Sequence, residues 1–188
     1  NGNRNYLNGV FIGNADNQDR LPATYNGTNP FAYDSATGNT LNKGNISYSW
    51  DRLGNLRGVS QPYPGPSPTY LYDGQDRRVA RKTGSTFTHK WLYDGQLRIV
   101  AELNASNVVQ KRFVYGSRDN VPDLMITSAG TFRLVTDQLG SVRRVINVSS
   151  VASVQEMSYD AWGKALVNSP AGYQPFGFAG GLYDAGTG

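Results

Sequence analysis

Cysteine is absent from the 188 residues, which excludes a disulfide framework, a cysteine-type zinc site and a thiol nucleophile. Histidine is almost absent: His89 stands alone, so a two-histidine metal site is excluded and little side-chain chemistry titrates near pH 7. No run approaches the ~18 apolar residues of a membrane-spanning helix. The chain opens on Asn1, and Tyr6–Ile12 lacks the charged flank and apolar length of a signal peptide. It reads as a piece of a longer protein.

Strong helix formers are thin, whereas turn formers and aromatics are rich: 22 Gly, 17 Asn and 12 Tyr. That balance predicts many short strands joined by tight turns. With charged residues at 17%, disorder through charge excess is not expected. The net charge of +4 is mildly basic, and the arginines cluster modestly at Arg77-Arg78, Arg81-Lys82 and Arg143-Arg144. Neighbours on a strand point to opposite faces, so these pairs do not converge on one ligand. They are expected to lie on a solvated outer face beside nearby Asp, and nucleic acid is not expected as a partner.

A repeat runs through the chain. Phe31-Ala-Tyr-Asp34, Tyr48-Ser-Trp-Asp51, Tyr70-Leu-Tyr-Asp73 and Trp91-Leu-Tyr-Asp94 share an aromatic–x–aromatic–Asp core. Phe113-Val-Tyr-Gly116, Leu134-Val-Thr-Asp137, Met157-Ser-Tyr-Asp160 and Gly181-Leu-Tyr-Asp184 continue it, and Asp16 begins it. Successive anchors are 17 to 24 residues apart. Asp51-Arg-Leu-Gly54, Asp137-Gln-Leu-Gly140 and Asp160-Ala-Trp-Gly163 then read Asp–x–x–Gly. Asp at the first turn position accepts a hydrogen bond from the backbone two residues on. Gly at the fourth tolerates the left-handed conformation that closes a hairpin with a bulge. Each unit is thus a β-hairpin, with second turns at Gly84-Ser85, 104–107, 128–130 and 147–150.

Variations carry their own expectations. At Asp73-Gly74 and Asp94-Gly95 the glycine is expected to supply the positive φ. Gly116 replaces the aspartate, so that hairpin is expected to be the least well specified. Pro62 to Pro68 is expected to be an extended loop, and residues 1–33 to pair irregularly.

The tyrosine–aspartate hairpins resemble the Rhs/YD-repeat family of bacterial Rhs toxins, insecticidal toxin complexes and teneurins. Val135-Thr-Asp-Gln-Leu-Gly-Ser-Val-Arg143 is similar to that family's threonine–aspartate–x–leucine–glycine signature. Tyr159-Asp-Ala-Trp-Gly163, followed by Pro175-Phe-Gly-Phe-Ala-Gly-Gly-Leu-Tyr-Asp184, resembles the approach to the Rhs core. The resemblance implies an all-β antiparallel meander of hairpins, forming a curved or spiralling sheet in a larger hollow shell. It implies that the shell encloses a C-terminal toxin, released in bacterial members by an aspartyl protease in the core. The segments that carry the protease aspartates in the family follow the point where this sequence stops, so no catalytic residue is carried over.

One YD-repeat segment is therefore expected over 1–188, with irregular repeats at 1–33, YD repeats at 34–133 and repeats approaching the core at 134–188. The structural anchors are Tyr33-Asp34, Trp50-Asp51 with Gly54, Tyr72-Asp73, Tyr93-Asp94, Asp137 with Gly140, Tyr159-Asp160 with Gly163, and Tyr183-Asp184. No enzymatic activity, cofactor or metal is expected. One Asp per turn is too few for calcium, and His89 near Ser85 and Asp94 lacks any nucleophile elbow. Gly177-Phe-Ala-Gly-Gly181 lacks the strand–helix context of a phosphate loop. Expected partners are the rest of the parent shell and its C-terminal effector, in a secreted or surface-delivered bacterial protein that uses a secretion system. The alternative is a carbohydrate-binding or adhesion module, whose aromatics stack on cell-surface glycan. A β-propeller is the architectural rival, since two such hairpins make one blade.

Overall fold

The computed structural model describes residues 6–7, 10–11, 20, 24–25, 29–62, 65, 67–184 and 187. Asp16 lies outside the described residues. The chain forms two compact units, Asn1–Tyr70 and Leu71–Gly188.

In the first unit β1 (Tyr6–Leu7) pairs with β2 (Val10–Phe11), antiparallel. A second run comprises β3 (Thr24–Tyr25), β4 (Asn29–Tyr33), β5 (Thr40–Lys43), β6 (Ile46–Trp50), β7 (Leu56–Ser60) and β8 (Pro68–Tyr72), whose last two residues belong to the second unit. Each strand pairs antiparallel with the next in sequence. Side chains of β6 alternate between half-buried and exposed, the period-2 pattern of a sheet with one solvated face. The proline-rich connection is not extended throughout: the Gly65 N–H donates to the Pro62 carbonyl at 2.9 Å, so the chain turns back on itself there.

In the second unit the strands are β9 (Arg78–Thr83), β10 (Thr86–Asp94), β11 (Arg98–Leu103), β12 (Val109–Val114) and β13 (Leu124–Thr127). They continue as β14 (Gly130–Thr136), β15 (Val142–Asn147), β16 (Ser153–Tyr159) and β17 (Ala165–Ser169). These too form an uninterrupted antiparallel meander in sequence order. The strands therefore lie side by side in one sheet, as an open meander and not as propeller blades.

One face of this second sheet is the core. Trp91, Ile99, Phe113, Met125, Phe132, Leu134, Val142, Val145 and Met157 are buried in one cluster. The large apolar residue three positions before each turn's first residue supplies much of it: Trp91, Phe113, Leu134 and Met157 occupy that position and are all nearly inaccessible. After β17 the chain doubles back over this face. Tyr173 meets Phe132 edge-on at 5.6 Å, Phe176 meets Phe113 at 5.0 Å, and Phe178 meets Tyr159 at 5.6 Å. Such offset pairs suit the ring quadrupoles. This strap leaves no buried polar debt at its centre, because Gln174 donates to the Phe176 carbonyl and accepts from the Phe176 N–H.

Candidate functional site

The candidate site is the set of Asp turns, which the meander places at one end of the strands in each unit. In five turns the same bonds recur. The first residue is Asp51, Asp73, Asn104, Asp137 or Asp160. Its N–H donates to the carbonyl of the fifth residue, and its own carbonyl accepts from the N–H of the fourth. Its side-chain Oδ1 accepts from the N–H groups of the third and fifth residues, all at 2.8–3.1 Å. A single oxygen thus satisfies two backbone donors that the tight turn would otherwise leave unpaired. Asp34 and Asn147 cap turns one residue longer.

The fourth residue carries positive φ: Gly54 (+85°), Gly140 (+88°) and Gly163 (+84°). Where glycine is missing another residue takes the strain, Asp76 at φ 59° and Asn107 at 64°. At Asp73 the left-handed residue is Asp76 rather than Gly74, because the five-residue geometry reserves that conformation for position four. Gly95 does have positive φ, at 66°, directly after Asp94. That turn is three residues between paired Asp94 and Arg98, and the Asp94 carboxylate reaches Arg98 only at 4.0 Å.

The pairing shifts by one residue just before the turns, between Ala32 and Tyr33, Ser49 and Trp50, Leu92 and Tyr93, Val135 and Thr136, and Ser158 and Tyr159. This is the bulge that a left-handed fourth residue requires. It rotates the aromatic toward the preceding hairpin. Trp50 Nε1 donates to the Thr40 carbonyl at 2.7 Å, Tyr93 Oη to Arg78 at 2.9 Å, and Tyr115 Oη to Ile99 at 3.0 Å. Burial pushes the Tyr93 and Tyr159 phenols up to about 12, and Tyr115 upward as well. Tyr33 stacks with Phe31 at 6.2 Å, and Tyr72 accepts from Arg78 Nε at 3.3 Å.

Sequence reasoning placed the arginine clusters on a solvated face paired with nearby Asp; Arg77 and Arg143 do lie beside Asp73 and Asp137, and both also take part in the fastening. Arg77 pairs with Asp73 at 2.6 Å, donates to the Gly95 carbonyl at 2.6 Å, and lies over the Tyr93 ring at 5.2 Å. Arg98 lies over Tyr115 at 5.9 Å and Arg143 over Tyr159 at 5.8 Å. Each of these three arginines therefore lends a cation to the aromatic of the next hairpin. The recurrence of Arg four to six residues after Asp73, Asp94 and Asp137 was the readable signal. Arg98 also bonds Asp119 of the following loop, and Arg118 donates to the Gln138 carbonyl at 3.0 Å.

The hairpin at Gly116 is not poorly specified. Asp123, a residue the repeat spacing does not flag, supplies the missing carboxylate from the far side of the loop. It accepts from the Ser117 hydroxyl at 2.6 Å and the Ser117 N–H at 2.7 Å. Those bonds hold it below the usual carboxylate range. Tyr183 and Asp184 follow the strap, and the Asp184 carbonyl accepts from the Thr187 N–H at 3.1 Å, the bond that the other Asp turns make to their fourth residue. Asp184 pairs with Arg81 of β9 at 2.9 Å, with each side chain 12% exposed. The strap is fastened elsewhere by the Ala179 N–H to Ser141 Oγ at 3.0 Å and by Asn120 Nδ2 to the Ala179 carbonyl at 2.9 Å.

Most of the aromatic–Asp groups are thus spent on one another and on backbone. Among the described residues no group of three or more His, Cys, Asp or Glu is placed to hold a metal ion. The arrangement does mechanical work, tying hairpin to hairpin along the sheet.

Comparison with known proteins agrees. The family model for the teneurin YD-shell matches residues 13–188. The tRNA3(Ser)-specific nuclease WapA of Bacillus spizizenii is 29% identical over 161 residues, covering 84% of this chain and 7% of that protein. A mutant of the Photorhabdus luminescens Tc holotoxin pore superposes with a TM-score of 0.56 at 15% identity, over 81% of this chain and 8% of the other. The TcdB2–TccC3 structure gives 0.50 at 14% identity, over 75% and 8%. The chain therefore spans less than a tenth of the length of these relatives. Hairpin geometry, matched family and matched fold coincide in an Rhs/YD-type shell wall, and the chain belongs to the teneurin YD-shell family.

Proposed function

We propose that this chain is a wall segment of a polymorphic-toxin-type Rhs/YD shell, whose task is to enclose or present a C-terminal effector. The work is structural, with no catalytic step and no cofactor, and the parent is delivered outside the bacterial cell by a secretion system. The observation that carries this reading is the consumption of the repeat's polar groups by the wall itself. The Oδ1 atoms of Asp51, Asp73, Asp137 and Asp160 are each filled by two turn amides. The Tyr93 and Tyr115 hydroxyls are filled by the neighbouring hairpin. A sugar-binding groove needs such groups unspent and its rings open, which argues against the glycan and adhesion alternative.

The test is limited proteolysis of the full-length parent protein, with fragments mapped by mass spectrometry. Encapsulation predicts that sequence C-terminal to the repeat resists protease until the wall is cut or denatured. Digestion of that sequence at the rate of a free polypeptide, while the repeat stays intact, would sink the proposal.

A further inference from the structure

Two turns of the second unit are written in the same residues. Leu71-Tyr-Asp-Gly-Gln75 and Leu92-Tyr-Asp-Gly-Gln96 are identical, and each is followed by one variable residue and an arginine. They contain the chain's two Asp-Gly pairs, Asp73-Gly74 and Asp94-Gly95.

They fold differently. In the first, Asp76 takes the left-handed fourth position at φ 59°. The Asp73 carboxylate is then filled: Oδ1 accepts from the Gln75 and Arg77 N–H groups at 2.9 and 3.1 Å, and Oδ2 from Arg77 Nε at 2.8 Å. In the second, Leu97 holds the place of Asp76. Aspartate visits the left-handed region far more readily than leucine does. The positive φ moves to Gly95, at 66°, and the turn amides no longer converge on the aspartate. Among the described residues nothing donates a hydrogen bond to the Asp94 carboxylate. Arg98 lies 4.0 Å from it and bonds Asp119 instead. The Asp94 side chain is 71% exposed, against 25% for Asp73. A Cβ on Gly95 would meet nothing within 4 Å, so the side chain of Asp94 has an open path to the next amide.

We infer that Asp94-Gly95 is a site of spontaneous isoaspartate formation, and that the identical Asp73-Gly74 is protected by its turn. The Gly95 amide nitrogen attacks Cγ of Asp94. A C–N bond forms, and the amide proton and the carboxyl OH leave together as water, closing a succinimide. Water then adds to one of the two ring carbonyls. Opening at Cγ restores aspartate; opening at the main-chain carbonyl leaves Gly95 bonded through Cγ. No atom is gained or lost overall, and no oxidant or cofactor is needed. The new linkage adds one carbon to the main chain between Tyr93 and Gly95. Those two residues hold the preceding hairpin: Tyr93 Oη donates to the Arg78 carbonyl, and the Gly95 carbonyl accepts from Arg77.

The test ages the full chain in mildly acidic buffer, where a protonated carboxyl is the better electrophile. Peptides are then read by electron-transfer fragmentation, which separates isoaspartate from aspartate at each position. Site-by-site reading matters because Asn1-Gly2, Asn8-Gly9 and Asn26-Gly27 yield the same product. Asp94 should convert at least about tenfold faster than Asp73, which must first give up two amide bonds and an ion pair. In urea the two rates should agree within about twofold, because unfolded they are the same peptide. Leu97→Gly restores a left-handed fourth residue and should slow Asp94 about tenfold, toward the Asp73 rate. Equal rates in the folded chain overturn the inference, as does a Leu97→Gly chain that ages like the parent. A gap that persists in urea also overturns it, since the cause would then lie in flanking sequence and not in the turn.

Discussion

The two ends of the strands in residues 71–188 solve the same problem, closing a hairpin, by different chemistry. At one end Asp caps the turn, an aromatic crosses to the previous hairpin and an arginine covers the next aromatic. At the other, Asn104 and Asn147 make the same caps with a neutral side chain, and the cations Lys82 and Lys90 lie over Phe87 of their own hairpin instead of the next one. The backbone needs only the oxygen, so Asn and Asp close the loop equally well. The charge serves what lies beyond the turn: Asp73 holds Arg77, and Arg77 reaches Gly95 of the next turn. The neutral end is tied as well, by Lys90 to the Ala105 carbonyl and Asn107 Oδ1 and by the Val148 N–H to the Thr131 carbonyl, but through neutral oxygens and not carboxylates.

Matched glycines test that contrast most severely. Gly163 and Gly84 both have positive φ, but a Cβ on Gly163 would meet the Phe178 ring at 2.8 Å, whereas on Gly84 it meets nothing within 4 Å. Gly163→Val should cost about 3 kcal/mol or more, and Gly84→Val about 1–2 kcal/mol, in urea denaturation. Equal losses would mean that the strap adds nothing to the charged rim. Arg81→Ala breaks the Arg81–Asp184 ion pair in a largely enclosed setting and should cost about 3 kcal/mol. Hydrogen exchange should show the loss concentrated in 173–184, not in the turns.

The cross-hairpin ties are weaker singly. Tyr115→Phe leaves the Ile99 carbonyl short of a donor and should cost about 1 kcal/mol by thermal melt. Acid sharpens the contrast without any substitution. Hydrogen bonds hold Asp73 and Asp123 below the usual carboxylate range, chiefly from Arg77 and Ser117. Their contribution is therefore complete above the ordinary value of 3.8 and is lost as pH falls through the lower folded value. Amide resonances of Gln75 and Ser117 should shift below about pH 4, while those of Ser106 and Ser149, capped by Asn, stay put.

His89 gives a separate window. Burial is the main cause holding it below 6.5; Arg81 and Lys111 add to that, and Glu102 and Asp184 oppose it. The folded chain binds the proton less well than the unfolded one, so stability falls as pH drops through 6.5 toward the folded value. His89→Gln should flatten that slope. The smallest expected effect is Asp137→Asn, under about 0.5 kcal/mol, since Asn keeps the Oδ1 acceptor. Gly140→Val should exceed it several-fold, because its Cβ would lie 2.9 Å from Asn120 at φ +88°.

The turns were legible because every partner lies within five residues. Asp–x–x–Gly, the bulge before it and the alternation of the strands follow from local sterics, and the meander follows from turns too short for a crossover. The Asp73 turn misled because Gly74 is the stronger local signal, while the bond from the Asp76 N–H to the Asp73 carbonyl sets the register. At Gly116 the spacing rule looks at one position, and Asp123 answers from seven residues on. The Tyr183-Asp184 pair copies the repeat in sequence, and the Asp184 carbonyl accepts from the Thr187 N–H at 3.1 Å as in the other turns, but its carboxylate reaches across to Arg81.

By itself, then, the amino-acid order determined the hairpin, its period, its capping residues and the family. Which hairpin a tyrosine ties to, which aromatic an arginine covers, and where residues 170–184 lie were decided by the tertiary structure. Arg81 and Asp184 are 103 residues apart, and no spacing rule joins them. They meet because the apolar face of β9 to β16 must be covered, and the strap's Tyr173, Phe176 and Phe178 bury best where Phe132, Phe113 and Tyr159 already stand.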